Sequence, residues 1–285
     1  MVRPVQTNGR RDGRRGAVAE DPGAARVTDE AARRFAGEYG PGPGAGIAVV
    51  MAAFNEFESV AGVVRLVPGR MGGLETETLV IDDGSTDDTA RQARDAGALV
   101  CRLAVNLGQG QALRLGYRLA RQRGAALIAT VDADGQLDPR ELPALIDPLV
   151  AGTADFVIGS RRLGRADTTD PVRRLGLVVF AALIRTLTRT PVTDPASGLR
   201  AFRAEVTERV PLRQTQYQTS ELLIGAIAYG YRVKEVPATV YLRGAGTSKK
   251  GGNFSYGMRF AWTIITTWWS VRPVARQHRN RPSRA

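Results

Sequence analysis

From residue 47 to residue 158, apolar runs of strand length alternate with stretches of helical periodicity, and no other feature of the chain constrains its fold so tightly. The runs at 47–51, 78–81, 98–103, 126–131 and 156–158 are almost continuously apolar, as expected of strands covered on both faces. Segments near 59–67, 88–96, 111–123 and 139–149 have helical spacing and separate them. This repetition predicts an α/β fold, a mostly parallel sheet flanked by helices, whose ligands gather beyond the carboxyl ends of the strands. After residue 161 the pattern loosens into an Arg-bearing apolar helix at 171–188, a loop rich in Gly, Pro and Asp, a helix at 219–229 and a strand at 233–242. The division expected is a mobile Arg/Gly-rich arm at 1–45 with a short helix around 28–39, one domain at 46–250, and an aromatic amphipathic helix with a basic tail at 251–285.

The polar motifs fall where strands end. Asp132-Ala133-Asp134 follows the fourth run and precedes Gly135-Gln136-Leu137-Asp138-Pro139. Two carboxylates one residue apart suit a hard divalent cation such as magnesium or manganese, which can neutralise a departing diphosphate. The same spacing also suits a solvated loop ahead of a helix opened by Asp138-Pro139. Ile81-Asp82-Asp83-Gly84-Ser85-Thr86-Asp87 follows the second run, where acceptors can grip ribose hydroxyls or base donors, although Ser85 and Thr86 equally suit a helix cap. The first run ends in Ala53-Phe54-Asn55-Glu56, which reads as a nucleotide contact or a helix start.

Taken in order, Ala52-Ala53-Phe54-Asn55-Glu56, Ile81 to Asp87, Asn106-Leu107-Gly108-Gln109-Gly110, Val131-Asp132-Ala133-Asp134-Gly135-Gln136, Gly159-Ser160-Arg161 and Thr193-Asp194-Pro195-Ala196-Ser197-Gly198-Leu199-Arg200 resemble the family 2 glycosyltransferases. The resemblance is to the branch that makes polyprenyl- or dolichyl-phosphate sugars, and it runs from about Ile47 to Lys250. It implies the Rossmann-like nucleotide-sugar (GT-A) fold. It also implies that Ala53, Glu56 and Asp83 line the nucleoside pocket, that Asp132 and Asp134 face the sugar diphosphate, and that Asp134 and Gln136 hold the metal. Asn55, Asp82 and Gly108 complete the candidate donor set. Two positions depart from the family pattern: Ala52 replaces the proline that opens the first motif, and Leu199 replaces an aromatic in the Ser-Gly loop.

A phosphate monoester is already anionic at neutral pH, so a phosphate acceptor needs cations more than a general base. Arg161, Arg200 and the Gly-rich basic turn Arg243 to Lys250 supply them. Such a turn is also an ordinary solvated loop, but the resemblance implies that Arg243, Ser248 and Lys249, with Ser197 and Arg200, take the acceptor phosphate. Glu221 matches the glutamate that the family places near the donor sugar; its position also suits a helix-capping acid or the base of a hydroxyl-acceptor enzyme. Asp134, Arg161, Glu221, Arg243 and Lys249 are therefore the catalytic candidates. The reaction expected is an inverting displacement from a nucleotide diphosphate sugar to polyprenyl phosphate, the alternative being transfer to a hydroxyl of a glycan or natural product.

A formal net charge of +12, from 40 Lys plus Arg against 28 Asp plus Glu, favours polyanionic partners. Nucleic acid fits poorly, because the basic residues lie in tails and loops while the strand ends carry acids. The single cysteine, Cys101, excludes an internal disulfide and a cysteine cluster for zinc, and the single histidine, His278, lies in the tail. There is no signal-peptide h-region and no apolar stretch of spanning length. Arg173, Arg174, Arg185 and Arg189, which punctuate the apolar run 175–187, and Trp262, Trp268 and Trp269 with the basic tail suit headgroup depth at a membrane, and equally suit a solvated charged face for the arginines and core packing for the tryptophans. The chain is thus expected to be peripheral at the cytoplasmic face of a membrane, docked on lipid or on a membrane-protein partner, with a homo-oligomer left open.

Overall fold

The structure, a computed structural model, describes residues 21–42, 44, 46–166, 171–214, 216–241 and 254–279. Helix α1 (Pro22–Tyr39) leads into β1 (Ile47–Ala53), α2 (Val60–Arg65), β2 (Arg70–Met71), β3 (Leu74–Asp82), α3 (Thr89–Asp95), β4 (Leu99–Arg102), α4 (Gln109–Gln122) and β5 (Leu127–Thr130). A short 3₁₀ turn, α5 (Leu142–Val150), β6 (Phe156–Ala166), α6 (Pro171–Thr188), β7 (Arg200–Arg203), α7 (Val206–Arg209), α8 (Gln218–Ala228), β8 (Val233–Val240) and α9 (Phe254–Arg279) follow.

The strands form one sheet in the order β2-β3-β1-β5-β7-β6-β8, with β4 also paired to β3. Pairings β1–β3, β1–β5, β3–β4 and β6–β8 are parallel, and β7 runs antiparallel between β5 and β6. Alternation divides the apolar runs between two cores. In β1, Ala48 and Val50 enter the core under α4 and α8, whereas Ile47, Val49, Met51 and Ala53 enter the one under α2 and α5. Leu79 and Ile81 part from Val80 in the same way, which is why these strands read as continuous apolar runs. Gly116 lets α4 lie close on the sheet: a Cβ there would press on Val50 and stand 3.1 Å from Ile81 Cγ1.

The first segment departs from the expected arm. Asp21 caps α1 by accepting from Gly23 N–H at 3.0 Å, and Pro22 opens the helix. Ala31 and Phe35 are buried, and Val100 N–H of β4 donates to the Tyr39 hydroxyl at 3.3 Å. Arg123 pairs with Glu77 at 2.9 Å and donates to Gly40 O at 3.1 Å, fastening the end of α1 to the domain. In the C-terminal segment expected at 251–285, α9 runs to Arg279 and lays Phe260, Ile264, Trp268, Val271 and Ala275 into the core against α8.

Candidate active site

Beyond β1 the sheet order reverses, β3 and β4 lying on one side and β5 on the other, and the crevice at this switch point is where an α/β sheet binds its ligand. Parallel register brings Ala53 opposite Asp82 and leaves the β1, β3 and β5 loops side by side. They are cross-linked. Asp83 N–H donates to Ala53 O at 2.8 Å, Asn55 N–H to Ser85 Oγ at 2.9 Å, and Glu56 N–H to Thr89 Oγ1 at 2.8 Å. Asn55 stands at φ 52 and accepts Thr86 N–H at 2.9 Å through its side chain. Ser59 joins the first and fourth motifs, donating to Ala133 O at 2.8 Å and lying 3.4 Å from Glu56 Oε2.

The paired acids of the second motif hold the loops. Asp82 is fully buried, accepts Ser85 N–H at 2.9 Å and lies 3.3 Å from Arg102 Nε. Asp83 accepts Leu107 N–H at 2.7 Å and Gly108 N–H at 2.8 Å, tying β3 to the turn that opens α4. Burial raises its carboxyl from 3.8 to about 6 against the pull of those two N–H groups. Gly84, at φ +75, permits the turn, since a Cβ would stand 2.6 Å from the Val105 carbonyl carbon. Asp82, read from the sequence as a donor ligand, is therefore sealed beneath the crevice, whereas Asn55, Glu56, Asp132 and Asp134 are half-buried at its floor.

Asp132 lies 3.3 Å from Gln109 Nε2, and Gln136 N–H donates to Asp134 Oδ1 at 3.1 Å. Gln136 Nε2 is turned to Tyr241 O at 3.4 Å, and Tyr241 N–H returns a bond to Gln136 O at 2.9 Å. Among the described residues no group of three or more His, Cys, Asp or Glu side chains is placed so as to hold a metal ion. Two carboxylates on one loop fit a magnesium- or manganese-type cation, which keeps its other positions for phosphate oxygens and water.

The sequence-derived cations divide differently from expectation. Arg200, expected on the acceptor phosphate, is in the core at 1% exposure and donates to the carbonyls of Ser197 (2.7 Å), Pro195 (2.6 Å) and Thr219. Burial lowers its pKa to about 10. The Ser197 hydroxyl is buried and accepts Leu199 N–H at 3.2 Å, so it shapes a turn. Arg161, expected in catalysis, forms a two-bond pair with the buried Asp194 at 2.6 and 2.9 Å. Glu235 accepts the N–H groups of Thr193 and Asp194, each at 2.9 Å, and holds that loop from the other side. Glu221 is buried and accepts Arg213 N–H at 2.8 Å and Gln214 N–H at 2.9 Å; burial raises its pKa, and both oxygens are committed to backbone. Leu199 fills the core beside Gly159 instead of facing a ligand. Arg243, Ser248 and Lys249 lie outside the described residues, but Tyr241, one residue before the undescribed stretch, is bonded to Gln136 of the loop that carries Asp132 and Asp134.

Sequence reasoning missed Ser59, Gly198 and Glu235. Gly198 carries the closest approach to the motif: its carbonyl accepts Thr130 Oγ1–H at 2.8 Å, and a Cβ would stand 2.7 Å from Asp132 Cγ. Its place inside the sixth motif was the available signal.

A switch-point crevice with acids at the ends of β1, β3 and β5 defines an α/β protein of the doubly wound, ligand-binding type. The chain matches the model of glycosyl transferase family 2 over residues 48–210 and belongs to that family. It is a glycosyltransferase. It is 33% identical over 219 residues to polyprenol monophosphomannose synthase of Mycolicibacterium smegmatis, covering 72% of this chain and 81% of that one. It is 32% identical over 207 residues to dolichyl-phosphate hexose transferase of Haloferax volcanii, covering 71% and 86%. Glucosyl-3-phosphoglycerate synthase from Mycobacterium tuberculosis, solved with Mn2+, UDP and phosphoglyceric acid, shares the GT-A fold at TM-score 0.61 and 23% identity, covering 86% of this chain and 82% of that one.

Proposed function

We propose that the protein transfers a hexose or N-acetylhexosamine from a nucleotide diphosphate sugar to polyprenyl phosphate, with inversion, as a peripheral protein at the cytoplasmic face of a membrane. The observation that carries this reading is the convergence of the Asn55–Glu56, Asp82–Asp83 and Asp132–Asp134 loops around one crevice through the Ser59, Asn55 and Asp83 bonds. The names of the relatives support the lipid-phosphate acceptor.

In this mechanism an acceptor phosphate oxygen forms a bond to the anomeric carbon as the bond from that carbon to the diphosphate breaks, the electron pair leaving with the nucleoside diphosphate. Asp132 and Asp134 would hold the magnesium or manganese ion, which supplies positive charge to the departing diphosphate. Asn55 and Glu56 orient the nucleoside, and the backbone bonds around them fix those loops before substrate arrives. Arg243, Ser248 and Lys249 receive the acceptor phosphate; in sequence they follow Tyr241, whose N–H donates to Gln136 O. The anionic acceptor needs no base, which agrees with the commitment of Glu221 to two backbone N–H groups.

The test is a transfer assay with purified protein, magnesium or manganese, labelled UDP- and GDP-sugars, and a short polyprenyl phosphate set against the matching alcohol. Label should move to the phosphate alone. Transfer to the alcohol, or to neither despite nucleotide binding, would overturn the acceptor assignment.

A further inference from the structure

Helix α9 is apolar on two opposite sides. Phe260, Ile264, Trp268 and Val271 face α8 and are buried. Met258, Trp262, Ile265 and Trp269, spaced four, three and four residues apart, form a second stripe on the opposite face. Met258 is 58%, Trp262 68% and Trp269 62% exposed. Two bare indoles and a methionine in line are far from the usual scatter of surface apolar residues. The stripe runs on into Arg272 and Arg276, and the Arg272 guanidinium lies 4.9 Å from the Trp269 ring.

Helix α6 meets α9 where Phe180 and Phe260 stack edge to face at 4.4 Å, and it repeats the pattern with exposed Leu175, Val178 and Val179. Neither helix contains a single Asp or Glu, in a chain that has 28, whereas Arg185, Arg259, Arg272 and Arg276 all lie on them. Among the described residues no helix is long and apolar enough to cross a membrane. Pro273 also deprives the Trp269 carbonyl of its helical donor, a loss that water tolerates and hydrocarbon does not.

We infer that the outer stripe of α9, with Trp262 and Trp269 as its anchors, is the surface by which this protein lies on an anionic lipid bilayer, the indoles at headgroup depth and the arginines on lipid phosphates. A second copy of the chain is the poorer occupant, because it would bring the same arginines against each other with no acid on either helix to pair them. A membrane offers the complementary charge, and tryptophan has the amphipathic shape for that depth. The inference sharpens the peripheral part of the reading above, but its measurement involves no sugar transfer, so either can fail alone.

The chain's three tryptophans make it its own probe. Full-length protein would be mixed with vesicles of phosphatidylcholine containing phosphatidylglycerol, with and without bromine on the acyl chains. Emission should shift to the blue and be quenched by the bromolipid; binding should weaken on neutral vesicles and at high salt. In Trp262→Ser/Trp269→Ser, vesicle affinity should fall by about tenfold or more, and the emission of the remaining, buried Trp268 should not respond to lipid. Circular dichroism should be unchanged, since both positions are exposed. Three results would each overturn the inference: no vesicle binding by the wild type, undiminished binding by the double variant, or a concentration-dependent dimer that the double variant loses while vesicles bind neither.

Discussion

Gly198→Ala tests how the sixth motif acts on the fourth. The added Cβ would meet Asp132 at 2.7 Å from Cγ and 2.9 Å from Oδ1, and closer still to Oδ2, whereas ordinary contact begins at 3.4 Å. The Gly198 backbone is not in the left-handed region, so alanine brings no conformational strain and the whole effect is the collision. Arg200 and Thr130 hold the loop, so the half-buried carboxylate must move, by most of an ångström. Displacement on that scale at a reacting centre costs about 10²-fold in rate, or about 2.7 kcal/mol, while the overpacking itself costs about 1–3 kcal/mol of stability. The assay is kcat/KM for the nucleotide sugar in the wild-type background, with the stability cost read by thermal melt in both wild-type and Asp132→Ala backgrounds. The stability cost should appear in the first and vanish in the second, where no carboxylate remains to displace. Unchanged kcat/KM, or an equal stability cost without Asp132, would refute the argument.

Asp134→Ala should abolish metal-stimulated transfer with the far-ultraviolet spectrum intact; full activity across a manganese titration would remove Asp134 from the metal site. Arg161→Ala leaves the buried Asp194 without its partner and should cost about 3–5 kcal/mol in denaturant unfolding. A variant that unfolds like the wild type but loses transfer would return Arg161 to the acceptor phosphate. Asp83 holds its proton up to about pH 6 when folded, against 3.8 for the free group, so its contribution is fully present below pH 3.8 and lost as pH rises through 6. Two pKa units correspond to about 3 kcal/mol, so the wild type should lose roughly that much relative to Asp83→Asn between pH 4 and pH 7, as read from urea unfolding; parallel pH profiles would contradict it.

The parallel half of the sheet was legible because strands buried on both faces have no polar alternation to obscure them, as β1, β3 and β5 show. Strand β7 was not, since its four residues Arg200–Arg203 begin and end in arginine and pair only through the distant β5 and β6. Helix α1 was underread for a related reason: the charged 22–39 segment looks solvated until Phe35 and Ala31 find the β4 edge. At the site, position was readable and orientation was not. Acids placed after strands were read together as ligands, yet whether a carboxylate faces the crevice or caps a turn beneath it depends on partners as remote as Leu107 and Arg102. The same holds for cations: nothing local marks Arg200 as enclosed by three carbonyls.

That commitment of Arg161 and Arg200 bears on how the site handles charge. The proposed reaction brings a nucleotide diphosphate and a lipid phosphate, both anions, to a crevice whose floor carries Glu56, Asp132 and Asp134. Among the described residues the two arginines expected to offset them serve Asp194 and backbone carbonyls, so they fix the loop whose Gly198 rests on Asp132 and leave little charge for the substrates. In the proposed site the offset falls to a cation bound by Asp132 and Asp134 on the donor side and to the basic residues that follow Tyr241 on the acceptor side. The Gln136–Tyr241 bonds hold the residue that precedes that basic stretch on the loop of Asp132 and Asp134. Donor metal and acceptor cations would then be coupled through two residues: Gln136→Ala should weaken the apparent affinity for metal and for lipid phosphate together, whereas loss of only one would show that the two charges are supplied independently.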